Sequence, residues 1–234
     1  MEDKPAYIKS MFSAIAGRYD RLNRILSLNR DMAWRRFAVS RCDPPANALV
    51  LDVATGTGDM ARLLIDRDSG CTVVSIDFCP AMLARARAKL ATAIDGGTVH
   101  IIAGDALRLP FSDDTFDCAT IGFALRNVAS IADAFREMAR VVRPGGRVVS
   151  LELTPPASTI ARTLHHIYAW RLLPTVGALV SGNREAYRYL PRSIDHLISP
   201  QEIKRLMEDA GLRQVELHRL MLGAATVHSA LKGG

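Results

Sequence analysis

The segment Asp52-Val-Ala-Thr-Gly-Thr-Gly-Asp59, with Ala61 two residues further on, most constrains how this chain can fold. Gly56, Gly58 and Ala61 have the G-x-G-x-x-A spacing of a turn that joins a buried strand to a helix and lets the backbone lie against a nucleotide. The apolar run Ala48 to Ala54 before it reads as a buried parallel strand, and Met60 to Ile65 as the start of the following helix. Dinucleotide enzymes use such a turn to hold pyrophosphate on backbone N–H groups at a positive helix end. Here Asp52 and Asp59 bracket the loop and would repel phosphate. The same charges suit a cation, so S-adenosylmethionine, which carries a sulfonium and an ammonium against one carboxylate, is expected in place of NAD.

A βα rhythm surrounds this turn. Thr72 to Asp77, Val99 to Ala103, Phe116 to Ile121 and Arg147 to Leu153 read as strands, with helices over Pro80 to Leu90 and Ile131 to Val142. The second of these stops at Arg143-Pro144-Gly145-Gly146. A helix at Pro200 to Ala210 and strand-like runs at Val215 to Met221 and Ala225 to Leu231 close the chain. Strands alternating with helices imply an α/β fold, a Rossmann-like, doubly wound, mostly parallel seven-stranded sheet. With 234 residues, 49% of them apolar, one domain can bury a full core. Within it we expect an N-terminal helical extension (1–43), a donor-binding core (46–154), a helical lid insertion (155–196) and a C-terminal helix with a strand pair (197–234). The insertion carries His165, His166, Tyr168, Trp170, Tyr187 and Tyr189 among leucines and valines, a composition suited to an apolar cover.

Carboxylates recur at the strand ends. Asp77 ends the second strand about twenty residues after the loop, where an acidic side chain accepts hydrogen bonds from ribose hydroxyls. Asp105, in Gly104-Asp105-Ala106, ends the third and is placed to accept from an adenine amino group, although a loop-capping aspartate has the same local sequence. After the fourth strand, Arg126-Asn127 follows an apolar run at the edge where open α/β sheets keep their ligands. An exposed turn and helix cap is the plainer reading of that pair.

The formal charge of +6 comes mainly from arginine and is compatible with a solvated exterior or an anionic partner. Cys42, Cys71, Cys79 and Cys118 lack C-x-x-C pairing, so neither a zinc site nor a disulfide framework is expected, and a cytoplasmic location is the default. No run reaches the roughly 18 apolar residues of a membrane span.

At this point the chain resembles the ubiquinone/menaquinone biosynthesis C-methyltransferases, class I S-adenosylmethionine enzymes, over nearly its whole length. The resemblance rests on Met11-Phe-Ser-Ala-Ile-Ala-Gly-Arg-Tyr-Asp20 with Leu22-Asn23, the VLDVATGTGD loop, and Gly104-Asp105-Ala106 with Leu109-Pro110-Phe111. It continues through Leu125-Arg126-Asn127, Arg143-Pro144-Gly145-Gly146-Arg147, Leu151-Glu152, and Ser181-Gly182 with Arg184 to Pro191. It implies cofactor contacts at Thr57, Asp77, Asp105, Ala106 and Gly122; with the loop residues Asp52, Thr55, Gly56 and Gly58 and with Phe78 these make the expected cofactor site, and Arg126, Asn127, Tyr187 and Tyr189 the expected acceptor site. Gly122 departs from a frequent serine, Thr154-Pro155-Pro156 from the family's S-K-P, and Leu220-Met221-Leu222-Gly223 from a more polar L-T-G-G.

The implied reaction is methylation of a ring carbon on a reduced polyprenyl quinol, either demethylmenaquinol or 2-polyprenyl-6-methoxy-1,4-benzoquinol. A ring carbon attacks only when an adjacent hydroxyl feeds it electrons, so the quinol and not the quinone is the expected acceptor. Arginine stays protonated, which limits Arg126 to stabilising developing phenolate or fixing a water. Asn127, Glu152, His165, His166, His196, Tyr187 and Tyr189 remain candidates for moving the proton. No metal is expected. A polyprenyl tail favours approach from a membrane surface, with Arg18, Arg21, Arg24, Arg35 and Arg36 facing headgroups, and a homodimer is compatible with the sequence. A nucleic-acid methyltransferase is disfavoured: there is no Asn/Asp-Pro-Pro-aromatic tetrapeptide after the fourth strand and no Pro-Cys nucleophile. A nicotinamide dehydrogenase, a non-enzymatic assembly factor and an enzyme for another small phenol or enol are the other readings.

Overall fold

A computed structural model describes residues 4–67, 70–155, 189 and 193–234. Three helices come first, α1 (Lys4–Ile15), α2 (Tyr19–Leu26) and α3 (Arg30–Cys42). The sheet and its crossovers follow as β1 (Leu49–Val53), α4 (Asp59–Ile65), β2 (Thr72–Asp77), α5 (Pro80–Lys89), α6 (Ala91–Asp95), β3 (Val99–Ala103), β4 (Phe116–Gly122), α7 (Ile131–Val141) and β5 (Val142–Leu153). After the insertion come α8 (Pro200–Asp209), β6 (Leu212–Leu220), a 3₁₀ turn (Met221–Gly223) and β7 (Ala225–Lys232).

The seven strands form one sheet in the order β3-β2-β1-β4-β5-β7-β6, parallel except for β7, which runs antiparallel to both neighbours. Chain order reverses between β1 and β4, so the carboxyl ends of those strands open a crevice at the switch point. Alternating side chains of β1 feed two apolar layers: Val50 packs with α3 and α4, while Leu51 and Val53 pack with α7 and α8. Phe135 and Met138 of α7 are fully buried, each contributing roughly 1.5–3 kcal/mol of apolar burial. Ser130 caps α7 by accepting from the Asp133 N–H at 3.2 Å, and Ser199 with Glu202 forms a capping box on α8.

Two elements differ from the sequence reading. The helix expected to end at Leu90 is followed directly by α6, because Leu90 is buried at a bend and keeps both segments on the sheet. α3 is not part of an appendage: Trp34, Ala38, Val39 and Cys42 are buried in the same layer as Val50 and Val149. α1 and α2 form their own small apolar cluster, with Ala16 of the turn between them packed on Cys79 and Met82, and Phe12 and Tyr19 alongside.

Candidate active site

The strand ends and the glycine turn enclose a cleft of about 170 Å³. Gly56 lines it with φ +57°, and a Cβ built there would meet nothing within 4 Å, so the bare backbone faces the open space. Gly58, at φ +85°, lies against α5 instead: a Cβ would stand 2.8 Å from Leu90 Cδ1. Asp77 lines the cleft from the end of β2, where its two oxygens accept the Gly56 and Cys79 N–H groups, each at 2.8 Å. Burial pushes its carboxyl above the ordinary value, against the pull of those N–H donors. Each oxygen keeps acceptor capacity toward a diol in the cleft. Phe78, Asp105, Ala106 and Gly122 also line it. Asp105 caps its own loop as well, since Oδ1 accepts the Leu107 N–H at 3.0 Å.

Asp52 and Asp59, expected to confront the donor, line no part of this cleft. Asp52 lies opposite Thr120 in the sheet, is fully buried, and accepts from Thr55 Oγ1 at 2.6 Å and Thr120 Oγ1 at 2.9 Å. Burial outweighs those hydrogen bonds and pushes its carboxyl up to about 6. Burial also works to raise Asp59, but Arg35 at 3.9 Å, Lys89 at 2.6 Å and Arg24 at 2.9 Å prevail and hold it below the ordinary value. Thr57 likewise turns away: its Oγ1 donates to Asp20 at 2.5 Å and accepts from Lys89 at 3.1 Å. The acidic side chains that do face the cleft are Asp77 and Asp105. The loop's own charges instead tie α2 and α5 to the turn.

Arg126 and Asn127 follow β4, as the sequence indicates, and take different positions. Arg126 forms a buried ion pair with Glu152 of β5, whose Oε2 also accepts the Arg126 backbone N–H at 3.3 Å and whose Oε1 accepts the Leu153 N–H at 2.9 Å. Glu152 is fully buried and lines no part of the cleft, and its carboxylate holds Arg126. Arg126 Nε is buried with no hydrogen-bond partner among the described residues, which leaves one donor for an entering group. Asn127 lines the cleft and accepts from the Tyr189 hydroxyl at 3.0 Å. Burial raises the Tyr189 hydroxyl above its ordinary value. Tyr187, His165 and His166 lie outside the described residues, and His196 lines a separate, open pocket beside Tyr189.

A second, largely apolar pocket of about 230 Å³ adjoins the cleft. Leu26, Leu28, Trp34, Leu153 and Met221 give it apolar walls, and Asp31 and Arg126 bring charge. Tyr19 and Phe123 line both cavities and therefore mark where they meet. Phe123 adopts φ +57°, an uncommon conformation for a bulky residue, with its ring against Trp34 at 6.4 Å. Sequence reading missed the share of α1 to α3 in these walls. The signal was present in the Tyr19-Asp20 segment, but nothing local says which face of α2 meets the sheet.

A doubly wound sheet with one antiparallel strand, a glycine turn at its switch point and a carboxylate facing the cleft at the end of β2 define a class I S-adenosylmethionine-dependent methyltransferase. The profile of the ubiE/COQ5 methyltransferase family matches residues 1–232. The chain is 45% identical over 218 residues to a demethylmenaquinone methyltransferase of Thermus thermophilus, covering 93% of this chain and 98% of that protein. It is 40% identical over 233 residues to a ubiquinone/menaquinone biosynthesis C-methyltransferase of Geotalea daltonii, covering 99% of each. A solved S-adenosylmethionine-dependent methyltransferase from Aquifex aeolicus shares the fold at a TM-score of 0.64 and 17% identity, covering 91% of this chain and 97% of that one. The chain belongs to the ubiE/COQ5 methyltransferase family.

Proposed function

We propose that this enzyme methylates a ring carbon of a reduced polyprenyl quinol. Demethylmenaquinol is the first acceptor and 2-polyprenyl-6-methoxy-1,4-benzoquinol the second, in keeping with the names of the relatives. The observation that carries this reading is the apolar pocket that meets the donor cleft at Tyr19 and Phe123 with Arg126 in its wall. S-adenosylmethionine, held by the Gly56 backbone, Asp77 and Asp105, supplies an electrophilic methyl group. Positive charge disperses as that methyl moves, so a dry pocket carries no penalty and excludes water. The protein's part is to align a ring carbon with the methyl and to stabilise the negative charge growing on the adjacent oxygen, for which the uncommitted Arg126 donor is suited.

Labelled donor, offered with reduced and oxidised short-chain demethylmenaquinone or methoxybenzoquinone analogues, tests the reading. Label is expected on a ring carbon of the reduced acceptor alone. Label on oxygen, or equal turnover of the quinone, refutes it.

The rim supports a peripheral membrane approach. Ile25, Leu28, Met221 and Leu222 are exposed at 40%, 72%, 55% and 80%, and Leu28 and Met221 also line the pocket. The last three adopt φ of +51°, +48° and +56°, conformations that apolar side chains rarely hold in solvent. Arg21 of α2 and Arg30 and Arg36 of α3 are also exposed, with no exposed Asp or Glu in residues 19–42. Of the arginines expected to meet headgroups, Arg24 and Arg35 are occupied by Asp31 and Asp59. The double variant Ile25→Asp/Leu222→Asp, which spares the pocket lining, is expected to sediment at least about tenfold less with anionic liposomes. Its turnover of a short-chain quinol should be unchanged. Undiminished liposome binding removes the rim from the membrane contact.

A further inference from the structure

Asp31 opens α3 and is 3% exposed, yet it lines the apolar pocket, and among the described residues no other carboxylate does. Its Oδ2 accepts from Arg24 and, at 2.8 Å, from Arg35; among the described residues its Oδ1 accepts only the Ser27 hydroxyl, at 2.8 Å. A carboxylate oxygen accepts more than one hydrogen bond, so Oδ1 has capacity left in an apolar cavity that offers few other acceptors. Glu152, a second buried carboxylate of this region, lines neither cavity. Asp31 and Arg126 are the charged acceptor and the charged donor in a lining whose other polar side chains, Tyr19, Asn23 and Ser27, are neutral.

Resting on the reading of this pocket as the acceptor site, we infer that Asp31 is a catalytic residue that accepts the hydroxyl proton of the quinol during carbon methylation. The ring carbon's electron pair forms the new C–C bond, and the S–CH₃ bond breaks with its pair passing to sulfur. The hydroxyl, made acidic as its oxygen feeds the ring, releases its proton to Asp31. The remaining ring C–H proton then leaves to water as the dienone rearomatises, and Asp31 returns its proton to the oxygen. One methyl group is gained and one proton released. The two arginines fix the carboxylate's position, and the Ser27 hydroxyl orients Oδ1.

Asp31→Asn, which keeps the side chain's size, is the direct test. At unchanged S-adenosylhomocysteine affinity its kcat should fall at least about 100-fold, within the range general-base catalysis supplies. Formate and other small carboxylates should restore part of the kcat of Asp31→Ala, the rescued rate rising with the pKa of the added acid, a dependence that a merely charge-balancing role would not give. A kcat within threefold of the unaltered enzyme, or no response to formate, overturns the inference. If neither variant folds, the unaltered protein carries the test. It should bind the methylated quinol product at least about tenfold more tightly than the naphthol lacking that hydroxyl, and equal affinities overturn the inference. Met221→Trp separates the two layers of the reading, since it fills the pocket without touching Asp31's partners. Activity lost there but kept in Asp31→Asn defeats the role of Asp31 alone. Activity kept in both defeats the acceptor assignment itself.

Discussion

Removing the Glu152 carboxylate should be among the most damaging single changes to this protein. In Glu152→Ala the Arg126 guanidinium, 6% exposed in its side chain, would stay buried without its counter-ion. Breaking one side of such a pair costs about 3–5 kcal/mol, because the remaining charge has lost its water and gained nothing in return. For a chain of this length that corresponds to a fall in Tm of roughly 6–20 °C. The double variant Glu152→Leu/Arg126→Met removes both charges and should recover most of that stability. It should remain inactive, because the donor that we propose for the acceptor oxygen has gone. Calorimetric melting and turnover of the three proteins separate the two contributions. A Tm within 2 °C of the unaltered enzyme in Glu152→Ala would mean that the pair is solvated and does not hold the wall.

Asp77→Asn is the second large effect. The carboxylate accepts two backbone N–H groups, from Gly56 and Cys79, and faces the cleft with its remaining lone pairs. An amide presents one nitrogen to a backbone donor, so the substitution sets N–H against N–H within the glycine turn. Hydrogen bonds to a charged acceptor contribute about 1.5–3 kcal/mol each. Losing those to a ribose diol, together with the turn's preorganisation, should raise the Kd for S-adenosylhomocysteine about 100-fold or more. Titration calorimetry measures this directly, and a Kd within threefold of the unaltered value would move the ribose elsewhere.

Much of the fold was readable from local pattern. Thr72 to Asp77 and Val99 to Ala103 occupy the expected strands, and β1 begins and ends within one residue of the expected run, because short apolar runs bounded by turn residues have few alternatives. The position of Asp77 was equally legible, since a residue ending a parallel strand beside the switch point has nowhere else to go. The side-chain directions of Asp52 and Asp59 were not. Asp52 shares the sheet face of Val50 and turns toward Thr120, a partner 68 positions away in sequence. Asp59 is claimed by Arg24, Arg35 and Lys89, which come from three other helices. Charge beside a glycine turn thus pointed to S-adenosylmethionine, although neither of the two carboxylates lines the cleft. Glu152 shows the same limit: its pairing with Arg126 links two strand ends 26 positions apart, and nothing in Leu151-Glu152-Leu153 discloses it.

Arg24 bridges Asp31 in one cavity wall and Asp59 at the start of α4, while Lys89 joins Asp59 to Asp20. The glycine turn and the wall of the apolar pocket are therefore stitched into one ionic lattice, and neither half can drift alone over evolutionary time. A lineage that trades Asp31 for a neutral or basic side chain must also relieve Arg24 and Arg35 of their surplus charge. Paired exchanges at these sites, seldom solitary ones, should be the mark the lattice leaves on descendants of this sequence.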